Sequence, residues 1–124
     1  DQQVAEEVLA LALEVARQVV RDSLAVKPEA VLGVVREALG QTPQQHAQLH
    51  VHPDDAVLVR QYLGEQLTHT GHRLVEDEQI ERGGCRIDSA GAQMDATLAT
   101  RWRRVVETLA NDHPWADSTE QETQ

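Results

Sequence analysis

An α+β domain, with a small, mainly antiparallel sheet covered by helices, is the architecture this sequence predicts. Two observations carry the expectation. Apolar residues recur at helical spacing in four segments and switch to a period of two in four shorter ones, so helices and strands are mixed along one chain. The length of 124 residues suits a single domain, which at this size can bury an ordinary core without metal or disulfide staples.

The elements follow in order. Val4, Val8, Leu11, Val15 and Val19 repeat at helical spacing, which predicts a long helix from Val4 to Leu24 with a broad apolar face. Lys27-Pro28-Glu29 reads as a second start, since proline at the first helical position forfeits no hydrogen bond. Val31, Leu32, Val35, Ala38 and Leu39 form that helix's buried stripe; Gly40 stands where a left-handed terminal residue is wanted, and Pro43 prevents continuation. From His46 to His52 the period is two, placing Ala47, Leu49 and Val51 inward and Gln48, His50 and His52 on a solvated face. Pro53, Asp54 and Asp55 then open a third helix, with the two carboxylates serving its dipole. Val57, Leu58, Tyr62 and Leu67 mark its course until Thr68 to Gly71. Strands are expected at Arg73 to Asp77, at Cys85 to Ser89 and, after a tight turn at Ser89 to Ala92, around Gln93 and Met94. Cys85 and Ile87 should face the core and Arg86 and Asp88 outward. Asp95 caps a last helix whose stripe is Leu98, Trp102, Val105, Val106 and Leu109, with Trp102 beneath it as core. Residues 1–110 should form the folded domain, and 111–124, being polar and acidic, a disordered tail.

Composition removes several functions. Aromatic residues make up 2% of the chain and phenylalanine is absent, leaving Tyr62, Trp102 and Trp115 as the large rings. With a net charge of −10, the domain lacks the basic groove and stacking platform that nucleic acid requires and repels anionic membranes, while basic partners are favoured. No apolar run reaches the roughly 20 residues of a bilayer span. The single cysteine, Cys85, and the lack of a signal segment fit a reducing, cytoplasmic setting. The chain opens at Asp1 without methionine and enters helical periodicity at once, which leads us to expect a fragment of a longer protein.

Chemistry-bearing groups are few. His50-Val51-His52-Pro53-Asp54-Asp55 places two imidazoles on one strand face ahead of a carboxylate and resembles the His-x-His-x-Asp-His run of the metallo-β-lactamase fold, but Asp55 stands where that pattern needs a third histidine. His69 and His72 lack a metal-ligand spacing. Gly83-Gly84 has no Walker context, since the only lysine is Lys27, and is expected to supply positive φ angles in a turn. Cys85 beside Arg86 is expected to be structural, and Glu76, Asp77, Glu78 and Glu81 to form a solvated charge run. Arg101, Arg103 and Arg104 flank Trp102 on the outer face of the last helix. No catalytic, cofactor or metal residue is assigned, and an interaction domain remains. The runner-up is a metal-dependent hydrolase built on His50, His52 and Asp54.

The second half carries a recognisable order of motifs: Leu49-His50-Val51-His52-Pro53-Asp54-Asp55, Asp77, Gly83-Gly84-Cys85-Arg86-Ile87, Asp95-Ala96 and Arg101-Trp102. Taken with the helices before it, from Val4 to Leu109, the chain resembles the C-terminal domain of the FliH family, regulators and stators of flagellar and type III export ATPases. These proteins are similar in turn to the peripheral-stalk E subunit of rotary ATPases. The Gly-Cys-Arg run and Arg101-Trp102, in place of the Gln-Leu usual in virulence secretion, look like the flagellar branch. The resemblance implies an E-subunit-like fold, no catalytic residue and no cofactor. It further implies a homodimer that holds the N-terminal segment of the export ATPase FliI, with an upstream part docking the motor's cytoplasmic ring and the export gate. It offers no account of the histidines between Ala47 and His52.

Overall fold

A computed structural model describes residues 1–112, which form four helices and a four-stranded sheet. Helix α1 (Gln2–Val26) starts at an Asp1 cap, whose carboxylate accepts the Val4 N–H at 2.9 Å. Helix α2 (Ala30–Gly40) begins two residues after Pro28, which sits in the preceding turn and not at the first helical position. Its buried residues are the five of the expected stripe. Gly40 stays helical: the chain leaves α2 through Gln41 (φ −94°, ψ 0°), and Thr42 Oγ1 donates to the Ala38 carbonyl at 2.8 Å, so no left-handed residue is needed.

Strand β1 (Gln48–Val51) leads through helix α3 (Pro53–Thr70) to strand β2 (Arg73–Glu76), and β3 (Cys85–Ser89) turns back into β4 (Ala92–Ala96). The sheet order is β2-β1-β3-β4, with β1 and β2 parallel and the other two pairings antiparallel. The parallel pair follows from the helix between β1 and β2, because only a crossover can return the chain in the same direction. Gly71, at φ 72°, closes α3 in the left-handed conformation that a side chain would strain.

Helices α2 and α3 cover one face of the sheet, and the core lies between them, built from Val31, Val35, Leu49, Val51, Val59, Cys85 and Ile87. The period of two in β3 holds: Cys85 and Ile87 are buried, while Arg86 and Asp88 point to the other face, where both are half-buried. In α3 the phase departs from expectation. Ala56, Val59, Leu63 and Leu67 are buried, whereas Val57 and Tyr62 are exposed. Helix α3 starts at the His52 cap directly after buried Val51, and in this phase Asp55 and Ala56 turn inward together with Val59, Leu63 and Leu67.

Helix α4 (Leu98–Asp112) starts at Thr97, whose hydroxyl is 3.4 Å from the Thr100 N–H; Asp95 remains in β4 and accepts from Thr97 N at 2.9 Å and Thr97 Oγ1 at 2.6 Å. Burial raises the Asp95 carboxyl, but these bonds and the Arg103 charge outweigh it and hold the group below the usual carboxylate range. The α4 stripe is not core. Val105 and Leu109 are exposed, and Trp102 is half-buried beside Arg17, Val20 and Arg21 of α1. The expected tail beyond residue 112, with Trp115, lies outside the described residues.

Candidate functional site

Of His50, His52 and Asp54, the one group whose spacing suggests metal chemistry, only the His52 ring is held in a local hydrogen bond, and both ring nitrogens of His50 are buried without a hydrogen-bond partner among the described residues. His52 caps α3: its Nδ1 accepts the Asp54 N–H at 3.0 Å, an unusual task for an imidazole and one that requires the unprotonated nitrogen. Asp54 itself is exposed on the first turn, 3.8 Å from the same ring. His50 is not on a solvated surface as expected; its side chain is 12% exposed, and Nε2 lies 3.1 Å from Asp88 Oδ2, off the hydrogen-bond direction. Asp88 also accepts from Gln93 Nε2 at 3.1 Å and Arg86 Nε at 3.3 Å. Slight burial raises the Asp88 carboxyl, but these two donors, with the Arg86 and His50 charges, hold it below the usual range. Among the described residues, no three His, Cys, Asp or Glu side chains stand close enough to hold a metal ion.

Two further histidines, His46 and His72, lie near the start of β1. His72 Nδ1 accepts the Ala47 N–H at 3.0 Å and thereby fastens the entry of β1, as His52 fastens its exit. Partial burial, with the His46 charge beside it, holds the His72 imidazole below its ordinary value, so the acceptor form is favoured. His46 packs over Gly71, where any Cβ would collide with its ring.

Asp55 is a residue that sequence reasoning misassigned. It is 1% exposed, and its carboxylate accepts from Arg82 Nε at 2.9 Å and from the Gly83 N–H at 2.8 Å. A group at a helix start was expected to serve the dipole alone; here it also clamps the β2–β3 loop to α3. The loop brings its own core residue, Ile80, which the surrounding charge run conceals, and three of the run's four acids are paired: Glu81 to Arg21 at 2.9 Å, Glu76 to Arg60 at 3.3 Å and Asp77 to Arg86 at 4.0 Å, while Glu78 is exposed as expected. Gly83 (φ 89°) faces Leu24 of α1, and at Gly84 a Cβ would stand 2.6 Å from the Leu98 backbone nitrogen. Only Gly83 supplies the positive φ expected of the pair; Gly84 is a close-approach glycine instead, and both let helices pack tightly against the loop.

Buried Cys85 has no base beside it, and burial pushes its thiol up to about 11, which leaves it a weak nucleophile. Arg101 lowers that value and Asp95 raises it, but neither overcomes the burial.

What the fold leaves uncovered is apolar and helical. Leu13, Arg17, Val20 and Leu24 form the half-buried side of α1, facing Leu98 and Trp102 of α4 in its lower part. On the opposite side Val4, Val8, Leu11, Val15 and Val19 are each more than half exposed, and α1 contains no buried residue. An unbroken aliphatic stripe of this length on a single helix marks an interaction surface. The sequence shows the stripe but not that it lacks a partner among the described residues. No helix among the described residues is long and apolar enough to cross a membrane.

Comparison with known proteins gives the family. The family model described as flagellar assembly protein FliH matches residues 1–105. The flagellar assembly protein FliH of Salmonella typhimurium is 36% identical over 112 residues, covering 89% of this chain and 48% of that protein. Its Escherichia coli counterpart is 35% identical over 112 residues, covering 89% and 49%. The chain thus spans about half the length of the curated relatives it matches. With the family model matching most of its length and two relatives above one third identity, this chain belongs to the family of the flagellar assembly protein FliH.

Proposed function

We propose that this chain is a non-catalytic regulator and stator unit of flagellar protein export, acting in the cytoplasm at the flagellar base, in which residues 1–110 bind the N-terminal segment of the export ATPase FliI. The carrying observation is that apolar helix faces are left uncovered on two elements, α1 and α4, which suits docking of more than one partner helix rather than a substrate cleft. The net charge of −10 favours basic partners and raises their association rate.

The α1 stripe also supports a homodimer. Its positions at 4, 8, 11 and 15 repeat at 15, 19, 22 and 26, with Asp22 the one polar member. A repeat of 11 residues advances about 3.67 per turn, slightly more than the helix itself, so two such helices supercoil with a right hand. In the dimer this stripe is the seam, and helices upstream of it in a longer chain extend the contact toward the motor ring and export gate.

The test compares full-length ATPase with a form lacking its N-terminal segment in pull-downs on this chain, alongside sedimentation of the chain alone. Binding that requires the segment supports the assignment; equal binding by both forms refutes it. Leu11→Glu with Val15→Glu should convert a dimer to monomer without lowering the thermal midpoint of the domain, since neither residue contributes to its core.

A further inference from the structure

The connection from α2 to β1, residues 41–47, contains no helix or strand and is fastened at one corner of the fold. His46 N–H donates to the Thr70 carbonyl at 3.3 Å, Arg73 N–H to the Ala47 carbonyl at 2.9 Å, and Ala47 N–H to His72 Nδ1 at 3.0 Å. Ala47 is 1% exposed, so without that imidazole its N–H has no water to turn to. His46 holds a φ of 60°, in the left-handed region that few side chains adopt, and its ring lies over Gly71. Farther back, Pro43 and Gln44 border a recess whose other side is Ile87 and Met94 of the core. A strained, irregular segment is held shut over an apolar edge, and one of the bonds that hold it depends on the protonation of an imidazole.

We propose that residues 41–47 form an acid-released strap: the neutral His72 imidazole latches it to the corner between α3 and β2, and protonation at Nδ1 lets it open on its own, ahead of the rest of the domain. The neutral ring offers Nδ1 as an acceptor, whereas the imidazolium carries a proton on both nitrogens, sets N–H against N–H and leaves the buried Ala47 donor unpaired. On the elements that meet at this corner, the titratable or charged groups are His46 on the strap, whose charge opposes protonation, exposed His69 in the last turn of α3 and exposed Arg73 at the start of β2. Asp88 of β3 borders a recess with His46 but is engaged by Arg86 and Gln93. Among the described residues no carboxylate forms an ion pair with His72. Partial burial and His46 hold the imidazole below its ordinary 6.5, so the closed strap resists the proton that the open strap accepts. The latch is therefore at full strength above pH 6.5 and weakens as pH falls below it. His52 does not act in the same way, because the Asp54 carboxylate stands 3.8 Å from its Nδ1 and receives the extra proton in an ion pair.

Amide hydrogen exchange of the full 124-residue chain, followed by NMR at single residues between about pH 7.5 and about pH 5.5, tests the proposal. The His46 and Ala47 amides should exchange through a local opening that low urea does not accelerate, while Ile87 in β3 exchanges more slowly and through urea-sensitive unfolding. Below pH 6.5 the protection of Ala47, corrected for intrinsic exchange, should fall by up to about tenfold per pH unit. His72→Gln supplies an amide oxygen whose accepting power does not titrate, so Ala47 should stay protected and that pH dependence should disappear. His72→Ala should leave Ala47 about tenfold or more less protected at every pH. If Ala47 and Ile87 of the wild type exchange at one rate with the same urea dependence, the segment opens only with the whole domain and there is no strap, a result that needs no variant. If the pH dependence survives in His72→Gln or His72→Ala, His72 is not the latch; either outcome overturns the proposal.

Discussion

Replacing Asp55 with alanine should destabilise this domain far more than replacing any carboxylate on its surface. The side chain is 1% exposed, and it makes two hydrogen bonds, to Arg82 Nε and to the Gly83 N–H. Losing it leaves the Gly83 N–H without an acceptor, at a cost of about 1–3 kcal/mol. The Arg82 side chain is 40% exposed and can return to water, so that contact adds only about 0.5–1 kcal/mol. A negative charge in the first turn of α3 contributes about 0.3–1 kcal/mol more. Together Asp55→Ala should cost about 2–5 kcal/mol, equivalent to about 10 °C or more in a domain of this size. Asp55→Asn keeps an acceptor for Gly83 and should cost about 1 kcal/mol. Urea unfolding of Asp55→Ala, Asp55→Asn and Arg82→Ala measures these differences through the transition midpoint. A change below about 0.5 kcal/mol for Asp55→Ala would refute the clamp, and a cost for Arg82→Ala as large as that of Asp55→Ala would show that the ion pair, not the backbone bond, dominates.

Gly84→Ala should lower stability by about 2 kcal/mol or more, because the added methyl meets the Thr97 and Leu98 backbone, which cannot rotate aside; thermal unfolding reads the loss. Cys85 should resist thiol reagents in the native state. Its thiol is raised from 9.0 to about 11, so the folded form holds its proton more tightly than the unfolded form, and stability should fall as pH rises from about 9 toward 11 in wild type but not in Cys85→Ala. His72 shows the reverse dependence. Its value is lowered from 6.5, so the unfolded chain takes the proton first, and the stability contributed through the Ala47 N–H bond should be lost as pH falls below about 6.5; His72→Gln should flatten that part of the pH profile in thermal unfolding.

Much of this protein was legible in its sequence because strong periods are local. The stripe of α2, the inward residues of β1 and β3, and the glycine turn before β4 all follow from spacing, since side-chain direction repeats every 3.6 or 2 residues wherever the backbone is regular. The order of motifs around Gly83-Gly84-Cys85-Arg86 carried the family as well. The phase of α3 was not legible. Val57 and Tyr62 offer a plausible apolar face, yet Ala56, Val59 and Leu63 are the residues that turn inward from a helix start directly after buried Val51. Nor could spacing reveal that Asp55 reaches 28 residues along the chain to Gly83, that His52 and His72 accept backbone N–H groups at the two ends of one strand, or that Ile80 sinks into the core from a charged loop. Most consequentially, the apolar stripes of α1 and α4 read like those of core helices, because a sequence records that a face is apolar and not what lies against it. Tertiary structure decided that point: α2 and α3 already cover the sheet's apolar face, and the outer aliphatic side chains of α1, with Val105 and Leu109 of α4, stay exposed among the described residues.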